Sequence, residues 1–322
     1  MINRDHETED TGMGSMVVIG TAFVDIKGFP DGEYLANGRN AGRVEYIHGG
    51  VARNVVEDIA NLELRPTFVG LVDETPLGKD VLEKLRRHKV NVDYVITTPD
   101  GLGTWLAVFD SSGDVAGSIS RRPNTYPLLA LLEEKGDEIF SQADSVVLQA
   151  DINKDVVKKA FSLAKKYGKK LFSIVSNMSI LMDRRDILQQ FDCFICNAQE
   201  AGMLFLEDFS NRTPEEMAEI LAKKITLANI PAMVVTMGGQ GSVYASLGGE
   251  QGICPARKVT VRDTTGAGDA FCAGVAAGLT YGKTLAQSVE TGTLLASSVI
   301  TSSENVCPRF LPAELGLKYQ ET

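Results

Sequence analysis

The chain has 322 residues, 44% of them hydrophobic and 23% charged, with 32 Lys and Arg against 42 Asp and Glu for a net charge of −10. That is ample material for one large core, and the acidic balance speaks against nucleic acid or an anionic membrane as a partner. No apolar run approaches the ~20 residues that span a bilayer, and the polar stretch Met1–Ser15 lacks the apolar segment of a signal peptide, so it reads as a disordered leader or tag preceding a single folded unit, 16–322.

In chain order, Met16–Gly20 is a short apolar strand, Val51–Leu62 carries helical periodicity, Thr67–Val72 is a strand and Leu77–His88 a helix. Ser145–Ala150, Lys170–Val175, Asp192–Asn197 and Ala232–Met237 read as strands, alternating with helices over Asp155–Tyr167, Ala198–Leu206 and Pro214–Ala228. A strand-like run, Lys258–Val261, precedes an apolar small-residue helix from Ala270, and Leu285–Thr301 is a last helix. Uniformly apolar strands alternating with helices predict a mainly parallel sheet covered on both faces, an α/β protein. Two segments break the rhythm. Residues 22–48 hold no helix signal and end in the alternating run Arg43–His48, and residues 103–120 read as a hairpin about a Ser-Ser-Gly-Asp turn. They are either edge strands of the main sheet or a separate small one.

Five cysteines, an odd number, without a secretory signal point to a reducing cytoplasm. Cys193 and Cys196 lie three apart in an apolar strand, so their thiols face opposite sides, which argues against a metal pair.

The most informative segment is Asp263-Thr264-Thr265-Gly266-Ala267-Gly268-Asp269-Ala270-Phe271. Two glycines one residue apart let successive N–H groups point into one concavity, and the following helix adds its own unpaired N–H groups and positive dipole end. Asp269 is unhelpful to a loop that only binds phosphate. It becomes intelligible as a base that takes a hydroxyl proton while those N–H groups hold the phosphoryl group under attack. No Gly-Lys-Ser/Thr follows, so this is not a Walker A loop, and Phe271 stands where a dinucleotide fingerprint needs its third glycine.

Elsewhere, Gly49 and Gly50 permit close approach of a ligand to bare backbone, and Asn54 offers both a donor and an acceptor for hydroxyls. Asp25 follows the first strand, where open α/β sheets bind ligands. Gln149, Asp151 and Asn153 end another strand and either line the same site or serve the next helix, with Asn153 as its cap. Arg53 reaches an acid or faces solvent, the latter being the simpler expectation.

The string Asp-Thr-Thr-Gly-Ala-Gly-Asp-Ala-Phe resembles the C-terminal signature of the ribokinase-like, PfkB-type carbohydrate kinases, which transfer phosphate from ATP, with Mg²⁺, to a hydroxymethyl group of a sugar or nucleoside. The resemblance implies a three-layer α/β/α fold whose two irregular segments form a β-sheet lid over the acceptor. It implies Asp269 as base and Gly266, Ala267 and Gly268 as anion hole. It places Asp25, Gly49, Gly50, Asn54 and Asp151 at the acceptor, Asn197, Thr236, Gly238 and Gly241 at ATP, and Glu200 on Mg²⁺ through water. Asp263 and Thr265 fall where many relatives help to ligate a monovalent cation, possible K⁺ here, with further ligands expected from about residues 298–303. Lid sheets in the family often pair two subunits, so a homodimer is expected, with Trp105 and Phe109 either in that contact or over the ligand.

Gly49–Asn54, the Val24–Gly28 run and Ser303–Pro308 look most like the pseudouridine kinase branch. Phe23 departs from the family pattern, which has Asn there; it either removes a polar sugar contact or offers a stacking surface. A fructose or ribose kinase and a catalytically silent sugar or nucleoside sensor remain the other readings.

Overall fold

A computed structural model describes residues 15–319. Most of the polar leader, residues 1–14, lies outside the described residues, whereas its last residue, Ser15, opens the first strand. The strands are β1 Ser15–Ile19, β2 Phe23–Pro30, β3 Gly42–Gly49, β4 Thr67–Val72, β5 Asn91–Thr97, β6 Gly103–Phe109, β7 Val115–Arg121, β8 Ala143–Gln149, β9 Lys170–Ile174, β10 Phe194–Asn197, β11 Ala232–Thr236, β12 Ser242–Ser246 and β13 Gln251–Cys254. The helices are α1 Val51–Asn61, α2 Pro76–Arg87, α3 Pro127–Gln142, α4 Lys154–Tyr167, α5 Met178–Leu181, α6 Ala198–Phe205, α7 Pro214–Ala228, α8 Ala267–Thr280 and α9 Leu285–Ile300.

Strands in the order β5-β4-β1-β8-β9 form a parallel sheet, and β10-β11-β12-β13 form a second that turns antiparallel after β11. The two meet edge to edge, where Phe172 bridges Cys193 and the Ile195 N–H donates to Ser173 Oγ at 3.0 Å. Side chains alternate across this sheet as a strand's period of two requires. Met16 and Val18 enter a core beneath α1, α2, α8 and α9, while Val17 and Ile19 enter one beneath α3, α4, α6 and α7. Cys193 sits in the first core and Cys196 in the second, on opposite sides as the spacing requires.

The two irregular segments do form a separate sheet, β3-β2-β6-β7. Its first strand, β2, went unread in the sequence because Lys27, Gly28 and Pro30 interrupt the apolar pattern. Also missed were β5, α3, β12 and β13; α3 has an internal Gly136 and a weak stripe, and β13 is a short edge. The predicted strand Lys258–Val261 is absent. Val259 and Val261 alternate as a strand would, but all four residues are exposed and meet no strand edge, so the pattern has nothing to bury against. No described helix is long and apolar enough to cross a membrane.

Candidate active site

The glycine loop is built by its contacts with the C-terminal segment. Gly266 caps α8 at φ 80°, and a Cβ there would sit 2.0 Å from the Asn305 carbonyl oxygen, so only glycine fits. Beyond Gly268 there is open space. The Ala267 N–H is spent on the Thr264 carbonyl at 3.2 Å, which removes Ala267 from the set of expected anion donors. The N–H groups of Gly266, Gly268 and Asp269 have no recorded acceptor among the described residues, so three donors remain at the start of a helix.

Asp269 is in the first turn of α8. Burial, chiefly, raises its carboxyl to about 7; the Asn54 hydrogen bond and the Arg53 charge oppose this, and the neighbouring carboxylates Asp25 and Glu200 add to it. A carboxylate that titrates near neutrality is matched to taking a proton from an alcohol.

Its partner is held in one orientation. Asn54 Nδ2 donates to Asp269 Oδ2 at 2.6 Å. The Asn54 oxygen accepts from the Arg53 guanidinium and, at 3.3 Å, from Asn305 Nδ2. Because that oxygen faces two donors, the amide nitrogen must face Asp269. Arg53 is fully buried, against the expectation that it faces solvent. Its guanidinium also donates to Glu57, one turn on, to the His48 carbonyl, to the Gly49 carbonyl at 3.3 Å and to Asn305 Oδ1 at 3.4 Å. Glu57, buried as well, is closed off by Lys84 at 3.1 Å. Five acceptors around one planar group explain why arginine stands here.

Gly49 and Gly50 lie where β3 turns into α1. A Cβ on Gly49 would come within 2.7 Å of the Asp25 carboxylate, so that carboxylate rests against bare backbone; Gly50 caps α1 at φ 93°. Burial raises the Asp25 carboxyl, and Lys27 and Arg53 pull it back. Phe23 is buried, its ring against Gly103, so it packs the start of the small sheet and does not offer an open stacking face. Aromatic surface comes instead from Phe29, Trp105 and Phe109. Phe29 stacks on Phe109 at 4.7 Å and Trp105 meets Phe109 edge-on at 6.5 Å, all on the Asp25 face of the sheet, with Trp105 paired in register to Asp25.

Asp151 is a correction of role. Its buried carboxylate accepts from Arg122 at 2.6 Å, Ser176 Oγ at 2.6 Å, the Ser176 and Asn177 N–H groups at 3.1 Å each, and Gln149 Nε2 at 3.2 Å. Nothing is left for a ligand, and Arg122 is what it holds in place. Asn153 caps α4, as its other reading allowed.

Asn197, Thr236, Met237 and Gly238 line a cleft of about 440 Å³ with Gln199 and Gln240. Gly241 is not among them; a Cβ there would strike the Cys254 carbonyl at 2.2 Å, so its role is to let two chain segments cross. Asn197 and Glu200 form a reciprocal capping box at 2.8 Å in each direction. That engages Glu200 Oε2, while among the described residues Oε1 accepts no hydrogen bond; burial, chiefly, raises this carboxyl, and the Asp151 charge adds to it. Among the described residues no three acidic, His or Cys side chains converge as a metal cage. One free carboxylate oxygen suits an ion held mostly by phosphate and water, as Mg²⁺ is. Asp263 Oδ1 accepts from the Thr265 N–H at 2.8 Å, and the Arg262 N–H donates to the Ile300 carbonyl at 2.7 Å, bringing the 298–303 stretch beside the loop.

A larger groove of about 830 Å³ lies behind α1, lined by Lys84, His88, Lys89 and Arg309. It contains none of the loop residues, and Lys89 and Arg309 are paired with Glu63 there, so we place the chemistry at Asp269.

Three free donors beside a buried carboxylate suit a kinase acting on a small hydroxyl compound. The chain belongs to the pfkB family of carbohydrate kinases, whose sequence pattern it matches over residues 13–307. It is a sugar or nucleoside kinase with the ribokinase-like fold. It is 33% identical over 304 residues to guanosine-inosine kinase of Exiguobacterium acetylicum, covering 94% of this chain and 99% of that one. It is 26% identical to pseudouridine kinase of Escherichia coli strain K12, covering 85% and 86%. Among solved structures, Arabidopsis thaliana ribokinase complexed with ribose and ATP superposes with a TM-score of 0.81 at 22% identity, covering 94% of this chain and 98% of that one.

Proposed function

We propose that this kinase transfers the γ-phosphoryl group of ATP to the primary hydroxyl of a nucleoside, with a purine nucleoside of the guanosine or inosine kind first among acceptors. The observation that carries the acceptor reading is the aromatic group Phe29–Trp105–Phe109 on the same sheet face as Asp25, which offers a base a stacking surface where a bare sugar needs none. The 33% identity to a guanosine-inosine kinase over nearly the whole of both chains supports it. Pseudouridine is the second reading, favoured by the Gly49–Asn54 and Ser303–Pro308 motifs and by the 26% identity to a pseudouridine kinase.

In this reading Asp25 accepts hydrogen bonds from the ribose hydroxyls, beside Gly49 and Gly50. Asn54 orients Asp269, which takes the proton of the attacking hydroxyl. The N–H groups of Gly266, Gly268 and Asp269 hold the charge that builds on the transferring group. ATP lies along Asn197, Thr236 and Gly238. Mg²⁺, when bound, neutralises phosphate oxygens, and Glu200 would hold it through water. Asp263, Thr265 and the neighbouring chain near Ile300 would hold a monovalent cation that stiffens the loop. The small sheet acts as a lid that excludes water from competing as acceptor. Its outer face carries Tyr46, Ile26, Leu106 and Ile119 in one cross-strand row, with Tyr46 61% and Ile119 70% exposed. Such a row supports pairing of two copies through the lid.

ATP consumption measured against guanosine, inosine, pseudouridine, adenosine, ribose and fructose tests the acceptor. Nucleosides are expected to exceed the free sugars in kcat/KM by at least about tenfold, the effect of a lost stacking contact of about 1.4 kcal/mol. Equal or better turnover of ribose or fructose removes the nucleoside reading.

A further inference from the structure

We propose that Lys27 is a catalytic residue of the lid, its ammonium binding the non-bridging oxygens of the phosphoryl group in transit. This rests on the phosphoryl-transfer reading of the Asp269 loop and not on which hydroxyl accepts.

Lys27 lies two residues beyond Asp25 on β2, so it projects from the same face of the small sheet, the face turned to the site. It is only 6% exposed. Among the described residues it enters no hydrogen bond and no ion pair. Glu45, directly across from it on β3, is instead engaged by Arg43 at 2.8 Å. Its neighbours through space are the two ends of the site. After burial, which raises the Asp25 carboxyl, the Lys27 charge is the strongest influence pulling that carboxyl down. At Asp263 burial also acts upward and is outweighed, first by hydrogen bonds from Thr265 and then by Lys27. Lys27 therefore stands within electrostatic reach of both the acceptor carboxylate and the first residue of the phosphate loop.

The Lys27 side chain is largely shielded from water, and among the described residues no group accepts a hydrogen bond from its ammonium. An anion of the ligand is the natural partner for a cation placed in this way. The hydroxyl oxygen forms a bond to the γ-phosphorus, the bond from that phosphorus to the bridging oxygen of ADP breaks, and the hydroxyl proton passes to Asp269. Throughout, the three peripheral oxygens of the moving group remain anionic. Backbone N–H groups approach them from the α8 side, and Lys27 approaches from the lid side as a cation. The lid thus supplies charge as well as cover.

The test compares Lys27→Met and Lys27→Gln with the wild type. Removing a charge of this kind is expected to lower kcat on the order of 10²-fold, with acceptor KM changed far less. Lys27→Arg should recover part of the loss. Because no folded-state partner is lost, the melting temperature of Lys27→Met should equal or exceed that of the wild type. Affinities for ATP and ADP, measured calorimetrically without acceptor, give a reading that does not depend on the acceptor being known. The wild type should prefer ATP, and Lys27→Met should lose most of that preference. If no acceptor in the panel is turned over by the wild type, the acceptor reading fails while the ATP-to-ADP comparison still decides Lys27. An unchanged preference, a Lys27→Met kcat within about threefold of wild type, or a fall in melting temperature with kcat and acceptor affinity lost together would overturn the proposal.

Discussion

Asp269→Asn is expected to lower kcat on the order of 10²–10⁴-fold while ATP binding stays measurable, because the substitution keeps the shape of the side chain and removes only its basicity. The same variant should be more stable than the wild type at alkaline pH. The Asp269 carboxyl is raised from an ordinary 3.8 to about 7, chiefly by burial. A folded-state value above the unfolded one means that the folded protein holds the proton more tightly. Its contribution to stability is therefore complete below about pH 4 and is lost as pH rises through about 7. Three units correspond to at most about 4 kcal/mol. The substituted amide carries no charge to desolvate, and it can still meet Asn54 after a flip. Thermal unfolding at pH 5 and pH 8 should show the variant's advantage growing with pH; an activity loss accompanied by a lower melting temperature at both pH values would mean that Asp269 is structural.

The second large effect is at Arg53. Arg53→Met leaves Glu57, the His48 carbonyl and Asn54 without their main donor in a site from which water is excluded. Breaking a buried charge pair in this way typically costs about 3–5 kcal/mol. Chemical denaturation should show a loss of that size, and turnover should fall because nothing then fixes which way the Asn54 amide points. A double variant, Arg53→Met with Glu57→Leu, separates the two consequences. Removing both charges should restore much of the stability, since an apolar pair of similar volume tolerates burial, whereas turnover should stay low. Wild-type stability in the single variant would show that the guanidinium is not paired as described. In this reading Arg53 fixes the orientation of Asp269 through Asn54, and it links the α1 start to the C-terminal segment through Asn305.

What could be read from the chain follows from which signals are local. The Asp263–Phe271 string names the loop and its carboxylate because a tight turn, free N–H groups and a helix start are all consequences of adjacent residues. The apolar strands β4, β8 and β9 and the helix α7 were legible for the same reason, since each carries its own periodicity. Arg53 was misread because its environment is assembled from β3, α1 and residue 305, which are far apart in sequence; the Arg53–Glu57 spacing on an apolar helix was the one local hint. Asp151 was misread because its partners Arg122 and Ser176 arrive from the segments that follow β7 and β9 and spend all its capacity. Lys27 escaped notice because β2 was not read as a strand, so the alternation that carries Lys27 to the face of Asp25 could not be drawn. Gly241 looked like its neighbour Gly238, and only the approach of Cys254 separates a glycine that admits chain from one that borders a cleft. Ala267 fits the family motif letter for letter, yet its N–H is consumed within the turn.

The central claim is that a buried carboxylate, held near neutrality at the start of α8, takes the proton of the acceptor hydroxyl. The most direct measurement is the pH dependence of wild-type kcat/KM, with whichever acceptor is turned over best. The account predicts an acid limb that rises with pH through an ionisation well above the ordinary carboxylate value, approaching about 7, and that disappears in the residual activity of Asp269→Asn. A profile that stays flat from about pH 5 to pH 8 in the wild type, or an identical limb in both proteins, would contradict it.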